Sequence, residues 1–216
     1  MDRSSYPGWV RFGVKPLVFA ACLMPFALLA YNAAFGDLGA NPLDRVTDVT
    51  GEWALRLLLI TLAITPLRRL TGWAPLQRFR RQLGLFAFFY ATLHFATWLW
   101  LDQGLAVTNI TADIAKRPFV TVGFLAWLLL VPLVLTSTRG MMRRLGRHWQ
   151  QLHRAIYLVA GLAVLHYLWL VKADLLEPLV YAGVLLVLLL LRWQPVRQGL
   201  AAWRCRSGQT RSQQLT

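Results

Sequence analysis

The sequence predicts an all-α integral membrane protein, a six-helix bundle with both termini in the cytoplasm. Three observations predict it. Of 216 residues, 57% are hydrophobic and 15% charged, and the mean hydropathy is +0.48, too apolar for a soluble domain of ordinary composition. The apolar residues gather into six runs, about 14–34, 51–67, 82–101, 119–136, 150–171 and 178–193. The basic residues gather between every second pair of runs and at the two ends, the pattern that keeps those segments on the cytoplasmic side. One transmembrane domain over 1–216 is expected, with short cytoplasmic ends at about 1–13 and 194–216.

The first run carries Arg11 and Lys15 ahead of its apolar core and small residues near Ala33 and Ala34, as a signal peptide would. Its length, its interruption by Pro25 and the five runs that follow favour a span. The second and sixth runs are short, so tilt or neighbouring helices must accommodate them. Arg68, Arg69, Arg78, Arg80 and Arg81 follow run two. Arg139, Arg143, Arg144 and Arg147 follow run four, with Arg154 just inside run five. The tail holds Arg192, Arg197, Arg204, Arg206 and Arg211. The other three loops hold only Arg45, Lys116, Arg117 and Lys172. Of nine acidic residues only Asp2 is on the basic side. Asp37, Asp44, Asp48, Glu52, Asp102, Asp113, Asp174 and Glu177 give the opposite face an acidic character. A net charge of +14 would suggest nucleic acid in a soluble protein. Here the charges flank apolar runs and read as topology signals, so the partner surface is lipid and no nucleic acid is expected. Ten tryptophans fit interfacial anchoring. Cys22 and Cys205 make no disulfide framework, and there is no CxxCH for covalent haem attachment. Neither a GxGxxG nor a phosphate-binding Walker loop occurs.

Function is expected at the histidines, because ionisable side chains inside a membrane-spanning run are expensive. There are four. His94 lies about twelve residues into run three, ~18 Å from its cytoplasmic start at the helical rise. His166 lies thirteen residues beyond His153 in run five, ~20 Å deeper. Both therefore fall in the outer half of the bilayer, on helices running the same way. Their settings match: Leu93-His94-Phe95 and Leu165-His166-Tyr167, each with a tryptophan in the next turn. One imidazole from each could clamp a haem iron from both sides. The competing expectation is that each ring bonds a neighbouring helix and binds nothing. His153, at the cytoplasmic end of run five, could ligate a second, inner haem. At the register of a partner on run three stand Arg80 and Arg81, suited to haem propionates and not to the iron. On a straight helix His153 would also point ~140° away from His166. His148, among Arg144, Arg147 and Trp149, reads as interfacial. Glu52 and Arg56, one turn apart, form an i,i+4 pair that eases insertion, with a quinone contact as the functional alternative. Lys172, Asp174 and Glu177 read as a solvated cluster at the outer end of run five, with contact to a partner protein as the alternative.

With Thr50-Gly-Glu-Trp-Ala-Leu, Arg80-Arg-Gln-Leu-Gly-Leu leading to Leu93-His94, and Leu145-Gly-Arg-His-Trp-Gln-Gln-Leu-His153-Arg, the chain resembles the MsrQ (YedZ) family within the ferric reductase-like transmembrane group. The resemblance rests also on Thr65-Pro-Leu, Arg117-Pro-Phe, Thr136-Ser-Thr-Arg, His166-Tyr-Leu-Trp and Tyr181-Ala-Gly. Its most specific part is the stretch from Leu145 to Arg154. The resemblance implies a six-helix bundle with b-type haem, one or two per chain, in the bacterial inner membrane. It implies haem-related roles for His94, His153 and His166. It also implies electron transfer to MsrP, a periplasmic molybdopterin enzyme that reduces methionine sulfoxide in oxidised proteins. The implied donor is the quinone pool or a cytosolic flavin reductase, with flavin mononucleotide (FMN) as a further cofactor. The chain would then be the electron-transfer subunit and not the catalytic one, with the acidic outer loops docking MsrP. The competing readings are a cytochrome b subunit of another quinone-linked oxidoreductase, a ferric reductase, and a cofactor-free transporter.

Overall fold

The structure is a computed structural model and describes residues 13–36, 38–171 and 174–192. Among them there are helices and no strands. Five helical segments are long and apolar enough to cross a membrane: Lys15–Phe35, Pro42–Thr71, Ala74–Asp102, Pro118–Leu135 and Arg147–Leu170. A sixth apolar helix, Leu176–Leu190, has 15 residues, short of the ~20 that a straight span requires. The apolar runs thus became helices as expected, with the last below spanning length. Residues 1–12 and 193–216, which carry the terminal charges and Cys205, lie outside the described residues, as do Asp37 and Lys172.

The chain order explains which helices meet. α1 (Lys15–Phe35) leads to α2 (Pro42–Thr71), which starts with Pro42 in its first turn, carries Arg68 and Arg69 in its last, and stops at Gly72. Gly72 has φ 73° and donates its N–H to the Arg68 carbonyl, a left-handed ending that favours glycine. α2 begins some nine residues before its apolar run, because Asp44 in the first turn favours the helix start. A 3-10 turn, Ala74–Arg78, reverses the chain into α3 (Phe79–Ala96), which continues as a π-helical turn over Thr97–Asp102. α4 (Val107–Lys116) is a short helix between α3 and α5 that the apolar runs did not foretell. Its Asp113 accepts a bond from the Trp98 indole at 3.0 Å and pairs with Arg117, which tie it to the end of α3 and the start of α5. α5 (Pro118–Leu135) is the fourth segment long and apolar enough to span. Two short helices, α6 (Arg139–Leu145) and α7 (Arg147–Leu152), fill the basic loop and hinge at Gly146, where φ is 50°. α8 (Ala155–Leu170) and α9 (Leu176–Leu190) complete the order.

Two helix pairs carry the architecture. α2 packs along α3, and α5 packs along α8, whereas α3 and α8 make little backbone contact. The core sits where the pairs meet, with Leu62, Tyr90, Val159 and Ala160 all at most 1% exposed. α2 is the central helix: half of its most apolar stretch is buried, against 11% for α1. α1 is held to the bundle through Tyr90. Pro25 lacks an N–H and interrupts the helical ladder of α1. One residue on, the Phe26 N–H donates to the Tyr90 hydroxyl at 3.0 Å, and that hydroxyl donates to the Cys22 carbonyl at 2.8 Å. The phenol is thereby inserted into one turn of α1 and satisfies both backbone groups where no water reaches.

Candidate functional site

His94 and His166 come together where the two helix pairs face each other. Their ring centroids are 6.1 Å apart and their planes 78° apart. Each ring is held by the helix paired with its own. His94 Nδ1 is 3.0 Å from the carbonyl oxygen of Thr47 at the start of α2. His166 Nδ1 is 2.7 Å from the carbonyl oxygen of Phe119 at the start of α5. A carbonyl only accepts, so each Nδ1 carries the proton and donates it. That leaves each Nε2 with its lone pair and, among the described residues, without a hydrogen-bond partner. This is the tautomer of an imidazole prepared to bind a metal.

The two half-sites repeat one arrangement. Each histidine stands 47 positions after the carbonyl it bonds. Four residues after that carbonyl, on the same helix, is a glycine against the ring. A Cβ placed on Gly51 would meet His94 Nδ1 and Cε1 at 3.0 Å each. One placed on Gly123 would meet His166 Nδ1 at 2.8 Å and Cε1 at 2.9 Å. Both rings thus pack directly on helix backbone. Phe95, next to His94, stacks on Trp127 of α5 at 4.3 Å between centroids, and the Trp127 indole donates to Thr92 at 3.2 Å. Those contacts fix α3 against α5 at the level of the site.

The spacing fits a shared metal with the remaining ligands supplied by something flat. Metal–imidazole bonds of ~2.0–2.1 Å, with about 1 Å from each ligating nitrogen to its ring centre, place two opposed rings roughly 6 Å apart. Among the described residues no group of three or more His, Cys, Asp or Glu could hold a metal ion. A bare ion would lack ligands there. A porphyrin would bring four of its own, and His94 and His166 are the residues that would hold it. The sparse contact between α3 and α8 is consistent with a planar group between them.

His153 is elsewhere and is built differently. It lies in the turn between α7 and α8, so the straight-helix angle to His166 does not apply. Its Nδ1 is 3.1 Å from the Trp149 carbonyl of its own turn, and its ring stacks on Trp149 at 4.0 Å. Trp149 in turn donates its indole N–H to Thr136 at 3.0 Å. His153 Nε2 is buried and, among the described residues, makes no hydrogen bond of ordinary geometry. No second imidazole is packed against His153 among the described residues. His148 is exposed on α7, in keeping with an interfacial role.

The charged groups expected near the outer end form a denser network than the sequence suggested. Arg56 bonds Glu52 at 2.7 Å, as the i,i+4 spacing implied. It also donates to the Tyr181 hydroxyl at 2.8 Å and lies 3.6 Å from Glu177. Tyr167 donates to Glu177 at 3.1 Å. Glu177 is therefore drawn into a link between α2, α8 and α9 and is not simply solvated. Asp174 caps the start of α9 by accepting from the Leu176 N–H at 3.1 Å.

Comparison with known proteins bears on what such a site is for. Residues 50–164 match the family model described as ferric reductase like transmembrane component. The protein-methionine-sulfoxide reductase heme-binding subunit MsrQ of Xanthomonas campestris pv. campestris strain 8004 is 57% identical over 181 residues, covering 81% of this chain and 83% of that protein. The subunit of the same name from Herminiimonas arsenicoxydans is 50% identical over 188 residues, covering 84% and 86%. The chain belongs to the MsrQ family. Its MsrQ-like segments now have structural meaning. Thr50-Gly-Glu-Trp supplies Gly51 beside His94, and Arg117-Pro-Phe supplies the Phe119 carbonyl that His166 bonds. The segment from Leu145 to His153 builds α7 and the Trp149–His153 stack. The family model spans His94 and His153 and ends two residues before His166.

Proposed function

We propose that the chain is a membrane b-type cytochrome whose haem is held by His94 and His166, and that it passes electrons toward a periplasmic methionine sulfoxide reductase, MsrP. One observation carries the reading: two imidazoles from different helix pairs, 6.1 Å apart, each with Nδ1 committed to a backbone carbonyl. When bound there, haem supplies a one-electron carrier. The protein's residues do the rest. Thr47 and Phe119 hold the tautomer and raise the basicity of the ligating nitrogens. The surrounding apolar helices exclude water and keep the site's dielectric low. The names of the relatives, which specify heme binding and methionine-sulfoxide reductase, support both the cofactor and the system.

The proposal extends in three directions. A second, inner haem would take His153, supported by a buried Nε2 without a hydrogen bond of ordinary geometry among the described residues, together with a ligand that is not histidine. The donor would be the quinone pool or a cytosolic flavin reductase, with FMN as intermediate carrier. The acidic outer ends, including the exposed Asp44 and Asp48 of α2, would face MsrP in the periplasm, with the protein in the bacterial inner membrane and its termini cytoplasmic.

The test is reoxidation. Protein purified with haem is reduced by dithionite under anaerobic conditions, and its absorbance is followed as acceptors are added. The proposal expects sustained reoxidation only with MsrP and methionine sulfoxide together, oxidised MsrP alone accepting no more electrons than its own centre holds. Reoxidation by a chelated ferric salt and not by that pair would replace the acceptor with iron and favour the ferric reductase reading, which the description of the matching family model supports.

A further inference from the structure

The two rings are nearly perpendicular, and the structure shows what keeps them so. We propose that Gly51 and Gly123 are positioning residues that hold the planes of His94 and His166 crossed, and so determine the electronic state of the metal they share. The inference rests on the haem reading above and deepens it.

Each ring is located by two contacts of different kinds. The Nδ1–H bond to Thr47 or Phe119 fixes where one edge of the ring points. The glycine fixes how the plane lies, because the ring sits where any other residue would place a Cβ. At Gly123 three ring atoms, Nδ1, Cε1 and Cγ, stand within 3.2 Å of that position, and at Gly51 two stand at 3.0 Å. A methyl group there would overlap the ring. Each glycine lies in the same helix as the carbonyl and one turn after it, so the backbone cannot shift without losing the bond. Relief comes from turning the imidazole, which swings its plane and stretches the Nδ1 bond. The same device on α2/α3 and on α5/α8 yields the 78° crossing.

That angle has a chemical consequence. Axial imidazoles donate π-electron density to the iron orbital perpendicular to their own plane. Parallel rings both act on one orbital and split the pair. Crossed rings act on one each and leave the pair nearly degenerate, which makes the ferric low-spin centre strongly anisotropic in electron paramagnetic resonance. Orientation of a ligating histidine by its surroundings is a general way in which proteins tune metal centres.

The test compares ferric spectra of the purified full chain with those of Gly51→Ala, Gly123→Ala and Gly161→Ala. Gly161 is in α8 with His166, and a Cβ there meets nothing within 4 Å. Alanine is a better helix former than glycine, so none of the three should weaken its helix intrinsically. The wild type and Gly161→Ala are expected to share one highly anisotropic low-spin signal. Gly123→Ala, with the closest contacts, is expected to lose or shift that signal and to bind haem roughly 10–100-fold more weakly, the range for lost outer-shell support. Gly51→Ala is expected to shift the signal in the same sense by less. It carries the test if Gly123→Ala does not accumulate. Wild-type signals retained in both variants, or an ordinary rhombic signal in the wild type, would overturn the proposal while leaving the haem. A wild type without haem, or one whose haem ignores His94→Ala and His166→Ala, would overturn the underlying reading and this inference with it.

Discussion

Two kinds of histidine environment in this chain differ in construction. His94 and His166 are each fastened by a carbonyl 47 positions earlier, on a neighbouring helix. His153 is fastened by Trp149, four positions earlier in its own turn. The first kind of bond ties two helices together and leaves the two rings 6.1 Å apart between the helix pairs. The second kind is satisfied locally and aims nothing at a partner. The difference teaches that an intramembrane histidine becomes a binding element when its second nitrogen is committed across the fold. The two distant bonds hold rings that converge, whereas His153 Nε2 is buried with no hydrogen bond of ordinary geometry among the described residues.

That contrast can be broken experimentally, and the largest effect should come from the paired rings. His94→Ala and His166→Ala should each abolish haem at the outer site, and the double variant should lose no more than either single one, because the two ligands act as one unit. Haem per chain in purified protein checks this, and additive partial losses would contradict it. His153→Ala should have a smaller effect: the spectrum of the paired site stays at full strength, whether or not an inner haem is lost. A fall in the outer signal equal to that of His166→Ala would erase the distinction. Smaller still, Tyr90→Phe should leave haem content unchanged and lower stability. It strips the Phe26 N–H and Cys22 carbonyl of their partner inside α1, at about 1–3 kcal/mol for unsatisfied buried groups. Thermal unfolding in detergent would measure it, and unchanged stability would mean that α1 closes its own hydrogen bond.

Much of this contrast was legible in the sequence, for physical reasons. Run length located the long apolar helices, because a bilayer demands long apolar segments whatever their tertiary partners. The matched depth of His94 and His166 followed from helical rise alone. What sequence reading missed depends on neighbours distant in the chain. Gly51 and Gly123 are ordinary helical glycines until a ring is seen resting on them. Their shared offset from the two histidines was the available signal. Tyr90 looks like one more aromatic residue in an apolar run until its hydroxyl is found beside Pro25. Glu177 was read with Asp174 and Lys172 by proximity in sequence, but Arg56 and Tyr167 draw it toward α2 and α8. The angle between His153 and His166 holds only for a straight helix, and the turn over residues 153 and 154, where α7 ends and α8 begins, removes that condition.

The most direct measurement is near-infrared magnetic circular dichroism of the ferric protein, whose charge-transfer band reports the axial ligands of a low-spin haem. The account predicts a bis-imidazole band that disappears in His94→Ala and in His166→Ala and persists in His153→Ala. A band from any other ligand pair, or one that depends on His153 and survives loss of His94, would contradict it.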